Sequence, residues 1–235
     1  MIDIHTHIIP GIDDGARNLK ASLKMAEIAI KDGIVTMVAT PHILDYPLSM
    51  EKINKKLKKL EEAFKSHGLN LELFAGAEVS PFAVTQMNNP KDYTINNSRY
   101  LLLEFPYLNI PDYLHDILFN LCAKGIVPIL AHPERNSEIT KEPWKIEEFL
   151  KNEILIQITA ASITGELGKS IKRCAEYMLE NSLVNIVASD AHSTRRRPPL
   201  LSEAYHCVKD EYGRKRADIL FKLNPSAIVH NNEVI

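Results

Sequence analysis

The chain has 235 residues and a mass of 26.6 kDa, with 45% hydrophobic and 25% charged residues, proportions that exclude a disordered or fibrous protein. Its 28 Lys and Arg against 30 Asp and Glu give a formal charge of -2 and a pI near 6.5, so no basic excess advertises nucleic acid. No apolar run approaches the roughly 18 residues of a membrane span, which argues against direct membrane insertion.

The first strand-like run covers residues 2–4 and leads into His5 and His7. Leu19, Leu23, Ala26 and Ile30 then mark an amphipathic helix, closed by Gly33 and followed by a strand over 34–39 and His42. Ile53, Leu57, Leu60 and Phe64 mark the next helix, with Gly68 after it, a strand over 71–75 and Glu78. Residues 82–97 carry the weakest signal of either period. A strand over 100–103 ends at Glu104, and Leu114, Ile117, Leu118 and Leu121 predict a third helix with Pro111 in its first turn and Gly125 past its end. Strands over 126–130, 154–158 and 185–188 follow, separated by helices around Glu147, Lys172 and Glu203.

Seven strands alternating with helices predict an α/β fold with right-handed crossovers. Most of the strand runs are continuously apolar, as parallel strands buried on both faces should be. An open doubly wound sheet fits that pattern, but what stands at the strand ends favours a closed barrel of seven units. The 13 Pro and 9 Gly form no linker, so residues 1–235 are expected to be a single domain. The N-terminal run lacks the basic and apolar regions of a cleaved signal. Three cysteines, Cys122, Cys174 and Cys207, are odd in number and lie in helix-like segments, so no disulfide framework is expected and a cytoplasmic location is.

Nearly every strand run ends in a histidine or a carboxylate: His5 and His7, His42, Glu78, Glu104, His132, and Asp190 with His192. Catalytic groups of βα-barrels collect at this C-terminal mouth. Two residues apart in a strand, His5 and His7 are expected on one side, with Ile2 and Ile4 on the other. Alone, such a pair is as readily two hydrogen-bonded histidines as a metal site; eight strand-end side chains together favour metal. Imidazole and carboxylate without thiolate suit manganese, iron or zinc, and more than four ligands imply more than one ion. Paired ions favour displacement at phosphorus. Arg135 and Arg197 offer forked donors for phosphate oxygens, whereas Arg195 and Arg196 read better as a solvated charge run. Asp14 is balanced between turn chemistry and a role as metal ligand or general acid, and Asp13 is less favoured for that role.

Other signals fail. Pro128, Glu180 and Gly213 stand six residues after the cysteines, which excludes a Cys-x5-Arg phosphatase. Ile163 stands where a phosphate-binding loop ending Gly168-Lys169-Ser170 needs its first glycine. His67, His115, His206 and His230 are assigned no chemistry.

Asp3-Ile4-His5-Thr6-His7, the isolated His and Glu residues and the late Asp190-Ala191-His192 resemble the polymerase and histidinol phosphatase (PHP) superfamily of phosphoesterases. Within it, Gly11-Ile12-Asp13-Asp14-Gly15, Ala39-Thr40-Pro41-His42, Leu103-Glu104-Phe105-Pro106, Ala131-His132-Pro133-Glu134-Arg135-Asn136 and Gln157-Ile158-Thr159 are similar to the bacterial capsule-type tyrosine-protein phosphatases, from residue 1 to about 230. The resemblance implies a distorted (β/α)7 TIM-like barrel holding two or three manganese ions. It implies hydrolysis of phosphotyrosine on a bacterial tyrosine kinase that controls capsule or exopolysaccharide synthesis, through a metal-bound hydroxide. His5, His7, His42, Glu78, Glu104, His132, Asp190 and His192 would then be metal ligands, Asp14 a third-metal ligand or acid, and Arg135 and Arg197 phosphate clamps. The alternatives are a histidinol-phosphatase-like enzyme for a small phosphomonoester, an amidohydrolase, and a non-catalytic metal-stabilised module.

Overall fold

The computed structural model describes residues 1–44, 48–150 and 153–235. Its strands are β1 (Ile2–Thr6), β2 (Thr36–Ala39), β3 (His42–Ile43), β4 (Glu72–Ala75), β5 (Glu78–Val79), β6 (Tyr100–Glu104), β7 (Val127–Ala131), β8 (Leu155–Thr159) and β9 (Ile186–Ala188). They pair in parallel in the orders β1-β2-β4 and β3-β5-β6-β7-β8-β9. The nine strands correspond to the seven expected runs, because β2 continues into β3 across Pro41 and β4 into β5 across Gly76. Proline has no N–H for the ladder, but the pairing carries past it: the Gly76 N–H donates to the Ala39 carbonyl and the Glu78 N–H to that of Pro41.

The ring closes between the last strand and the first. The Asp190 N–H donates to the His5 carbonyl at 3.0 Å and the His7 N–H to that of Ala191 at 2.9 Å, with a parallel bridge between Thr6 and Ala191. This closure makes a distorted (β/α)7 barrel and excludes the open sheet.

Helices α1 (Leu19–Lys31), α2 (Met50–Ser66), α3 (Pro81–Gln86), α4 (Leu114–Ala123), α5 (Ser137–Lys141), α6 (Ala160–Thr164), α7 (Lys169–Glu180), α8 (Ser202–Tyr212), α9 (Arg214–Asp218) and α10 (Asn224–Val229) surround it. The expected faces of α2 and α4 are the buried ones, Ile53, Leu57, Leu60 and Phe64 on the first and Leu114, Ile117, Leu118 and Leu121 on the second. In α1 the buried stripe is instead Ser22, Met25, Ala26 and Ala29, and Leu19 is 42% exposed. Small residues bring α1 close, and the Ser22 hydroxyl donates to the Ile8 carbonyl. Pro111 opens a lead-in turn rather than the first turn of α4, its carbonyl accepting from Leu114. Residues 82–97 contain most of α3 and two 3-10 turns, and the segment around Glu147 is a 3-10 helix, Pro143–Phe149. Among the described residues, no helix is long and apolar enough to cross a membrane.

Two apolar clusters share the strands. Met37, Leu101, Leu103, Leu130, Ile156 and Val187 pack outward against helices. Val38, Leu102, Ile129 and Ile186 fill the lumen, sealed below by Ile95 and by Ile228 and Val229 of α10. Ile4 belongs to this inner cluster with Ile2 beside it, contrary to simple alternation with His5. The reason is a register shift between Asp3 and Thr6: three residues of β1 span what two span in β2, and such a bulge turns consecutive side chains toward one face.

Candidate metal centre

Directly above this apolar floor the strand ends gather their polar side chains. β1 brings His5 and then His7; β3 and β5 bring His42 and Glu78, which are register partners; β6 ends in Glu104; His132 follows β7; Asp190 and His192 follow β9. Oε2 of Glu78 lies 3.1 Å from Nε2 of His5, 3.3 Å from Nε2 of His7 and 3.0 Å from Nδ1 of His42. Its Oε1 lies 2.8 Å from Nε2 of His132. Oδ1 of Asp190 is 3.3 and 3.5 Å from the same His5 and His7 nitrogens. Asp14, 66% exposed, reaches in from the first loop to 3.5 Å from His42 and 3.3 Å from His192. Glu104 stands farther off, 4.0 Å from His42.

Among the described residues three ligand-like groups result: His7, Asp14, His42 and His192; His5, His7, Glu78 and Asp190; and His42, Glu78 and Glu104. His7, His42 and Glu78 each belong to two of them. His132 is outside all three and touches the cluster through Glu78.

The imidazoles are held from behind. Nδ1–H of His5 donates to Oε1 of Gln157 at 2.8 Å, that of His7 to Oδ2 of Asp13 at 2.8 Å, and that of His192 to the Asp190 carbonyl at 3.0 Å. An acceptor at Nδ1 fixes the proton there and leaves Nε2 as a lone pair. In their neutral forms the His5 and His7 rings therefore turn Nε2 lone pairs toward each other, 3.2 Å apart. Oε2 of Glu78, Oδ1 of Asp190, Nδ1 of His42 and Nε2 of His192 are buried without a hydrogen-bond partner. Converging buried lone pairs are costly unless a cation meets them, and this mixed nitrogen and oxygen set fits manganese, iron or zinc.

Charge in the cluster follows the same geometry. Burial opposes protonation of His5 and His7, but the carboxylates around them outweigh it and raise both pKa values. Burial works against ionising Glu78 and Asp190 too, yet the surrounding histidines hold both well below the usual carboxylate range. Burial and then the facing His7 push His192 down to about 3, so it is neutral. Burial, followed by Glu78, raises Glu104.

Arg135 and Arg197 line one side and both bond Oδ2 of Asp190, Arg135 at 2.5 Å. The carboxylate thus turns one oxygen to the histidines and the other to the guanidiniums, and each guanidinium has donors beyond the one bound to Asp190. Arg195 and Arg196 are exposed, as a solvated run should be.

Tight backbone geometry supports the cluster. His132 (φ 42°) and Asp190 (φ 53°) are non-glycine residues in the left-handed region, a strained choice that recurs at functional sites. Gly15 packs so closely on β1 that a Cβ there would lie 2.2 Å from the His7 carbonyl oxygen, and this approach lets Asp13 reach the imidazole. Asp3, pushed up to about 6 by burial, ties the closing seam through the Ser189 N–H and hydroxyl. Glu134 is fully buried and accepts from the Thr159 N–H and the Ser162 hydroxyl.

Sequence reasoning passed over Gln157, Asp3 and Glu134 as functional supports and ranked Asp13 below Asp14, although Asp13 is the one that orients a histidine. Their signal was their place in the motifs that carry the resemblance, where Asp3, Glu134 and Gln157 stand without an assigned role. Cys174 is buried outside the cluster, its thiol pushed up to about 12 by burial and Glu134.

A family model described as capsular polysaccharide synthesis, CpsB/CapC, matches residues 1–230. CapC of Staphylococcus aureus is 35% identical over 210 residues, 88% of this chain and 82% of that protein. Tyrosine-protein phosphatase CpsB of Streptococcus pneumoniae is 32% identical over 97% of this chain and 98% of its own. Among solved structures, one from a study of YwqE of Bacillus subtilis and CpsB of S. pneumoniae, described as unique metal-dependent tyrosine phosphatases, superposes with a TM-score of 0.94 at 31% identity, covering 100% of this chain and 96% of that one. The phosphotriesterase homology protein of Escherichia coli, at 9% identity, a TM-score of 0.61 and coverage of 97% and 98%, shares the fold alone.

Proposed function

The chain belongs to the CpsB/CapC capsular polysaccharide synthesis family, and from that premise we propose that it is a metal-dependent tyrosine-protein phosphatase. The observation that carries this reading is the set of three ligand groups joined through His7, His42 and Glu78, with two arginines on a shared carboxylate beside them. In this reading residues 1–235 are one cytoplasmic phosphoesterase domain. Its substrate is phosphotyrosine on a bacterial tyrosine kinase controlling capsule or exopolysaccharide synthesis, and its cofactor is manganese, two or three ions per chain. What supports the family assignment at the level of chemistry is the donor set, which lacks thiolate and holds unpaired buried lone pairs.

His5, His7, His42, Glu78, Glu104, His132, Asp190 and His192 would hold the ions, and Asp14 either completes a third site or acts as a general acid. Bound metal supplies an activated water and offsets negative charge at phosphorus. The protein does the rest. Arg135 and Arg197 bind equatorial phosphoryl oxygens, and Asp190 keeps both forks aimed from behind. Gln157 and Asp13 hold the His5 and His7 rings in one tautomer, so Nε2 is free to coordinate. A phenol leaves with a pKa of about 10, which lessens the demand on any general acid.

Elemental analysis of purified protein, paired with hydrolysis of a phosphotyrosine peptide with added manganese and after chelation, tests the proposal. Two or three ions per chain and chelator-sensitive turnover are expected. Turnover of histidinol phosphate without turnover of the peptide would reject the tyrosine assignment, and absence of bound metal would reject the site.

A further inference from the structure

The loop after β6 is pinned in place by the segment after β7. The side-chain amide of Asn136 donates to the Pro106 carbonyl at 2.6 Å, the Ser137 N–H to that of Tyr107 at 3.0 Å and the Ser137 hydroxyl to that of Leu108 at 2.6 Å. The Ile110 N–H in turn donates to Glu138 at 3.0 Å. Asn136 is itself 1% exposed and also caps α5. The loop so fixed displays two large side chains, Tyr107 at 56% and Leu108 at 66% exposure. The backbone that carries the Tyr107 ring is fixed, and the exposed ring keeps apolar surface available to a ligand.

The position of the ring names that ligand. The Arg135 guanidinium carbon lies 5.8 Å from the centre of the Tyr107 ring, while Nη1 of the same guanidinium bonds Asp190. Tyr107 therefore stands one guanidinium away from the cluster, next to the arginine that would hold a phosphoryl group. In an aryl phosphate the ring joins the bridging oxygen directly, so its face comes within stacking distance of an aromatic wall beside the phosphate; an alkyl ester has only a methylene or methine there.

We infer that Tyr107 is a specificity-determining residue that selects aryl over alkyl phosphoesters by packing its ring on the phenol of the substrate, with Asn136 and Ser137 holding it in position. The inference rests on the phosphatase reading above. Stacking is equally available in the ground and transition states, so it acts on binding rather than on the chemical step. The ring carries the effect, so phenylalanine should serve as well as tyrosine.

The test compares phenylphosphonate with methylphosphonate, two non-hydrolysable ligands that differ in the ring, on the metal-loaded full chain. Binding is measured by calorimetry and by competition with p-nitrophenyl phosphate hydrolysis. Tyr107→Ala is expected to weaken phenylphosphonate by roughly tenfold, the scale of an aromatic contact, to leave methylphosphonate within about twofold, and to raise KM for the aryl ester with little change in kcat. Tyr107→Phe is expected to match the parent protein. Equal weakening of both phosphonates, no weakening of either, or failure of Tyr107→Phe to match the parent would overturn the inference. If the parent binds phenylphosphonate and discriminates through Tyr107 but hydrolyses no phosphoester, the phosphatase reading fails and the aryl pocket stands.

Discussion

The lumen of the barrel has two halves built from the same strands and governed by opposite rules. Below, Val38, Leu102, Ile129 and Ile186 form an apolar floor sealed by α10, where every side chain contributes to stability by leaving water. Above, two to four residues farther along the strands of Leu102, Ile129 and Ile186, Glu104, His132 and Asp190 gather around Glu78 with unpaired buried atoms and left-handed backbone. The mouth spends stability that the floor supplies. Seven parallel strands are rigid enough to hold a cluster of like-charged and lone-pair groups that a loop would let drift apart.

Substitutions at each level should separate the two halves. The largest effect is expected from His5→Ala, which removes a nitrogen from the centre of the cluster: turnover should fall well beyond the roughly 10–100-fold typical of supporting partners, with circular dichroism unchanged. Asp190→Ala should abolish turnover too, but it also leaves the part-buried Arg135 without its carboxylate and should lower thermal stability. A floor substitution, Leu102→Ala, should do the reverse, costing about 2–5 kcal/mol in denaturant unfolding while turnover per folded molecule stays near that of the parent. If His5→Ala unfolded the protein, or Leu102→Ala lowered turnover per folded molecule, the division would be wrong.

Between these come the supports. Asp13→Asn and Gln157→Leu, which release the His7 and His5 rings, should each weaken metal affinity by roughly 10–100-fold, read by competition with a chromophoric chelator.

The smallest effect concerns pH. In metal-free protein His7 has a pKa well above the ordinary 6.5, because Asp13, Asp190 and Glu78 outweigh burial. Its stabilisation is complete below 6.5 and is lost as pH rises through the higher folded value. For Glu78 the shift is downward, so its stabilisation is present above 4.5 and lost as pH falls through the lower folded value. Chelated protein should therefore lose thermal stability as pH rises above 6.5. Metal displaces those same protons, so metal affinity should climb over that range and the loaded protein should not show the loss. Parallel melts with and without chelator would check both signs.

Much of this was legible before folding. The seven strand runs, the faces of α2 and α4 and the glycines past them are local patterns. So are the types of residue at the strand ends, and the structure brings all eight of those side chains to one mouth. Phase was harder: the bulge in β1 turns Ile4 inward beside His5, and no period-2 reading anticipates an extra residue that only its neighbouring strand defines. In α1 the buried stripe shifted because small residues and a Ser22 hydrogen bond to Ile8 set how closely the helix approaches.

The sequence by itself determined the alternation of strands and helices and the chemistry available at their ends, since periodicity, apolar runs and residue type act within a few residues. Tertiary structure decided which residue stands behind each ligand. His5 meets Gln157 across 152 positions and Arg135 meets Asp190 across 55. Those pairs exist only once the ring closes, so orientation, protonation and the rigid display of Tyr107 belong to the closed barrel rather than to any segment of the chain.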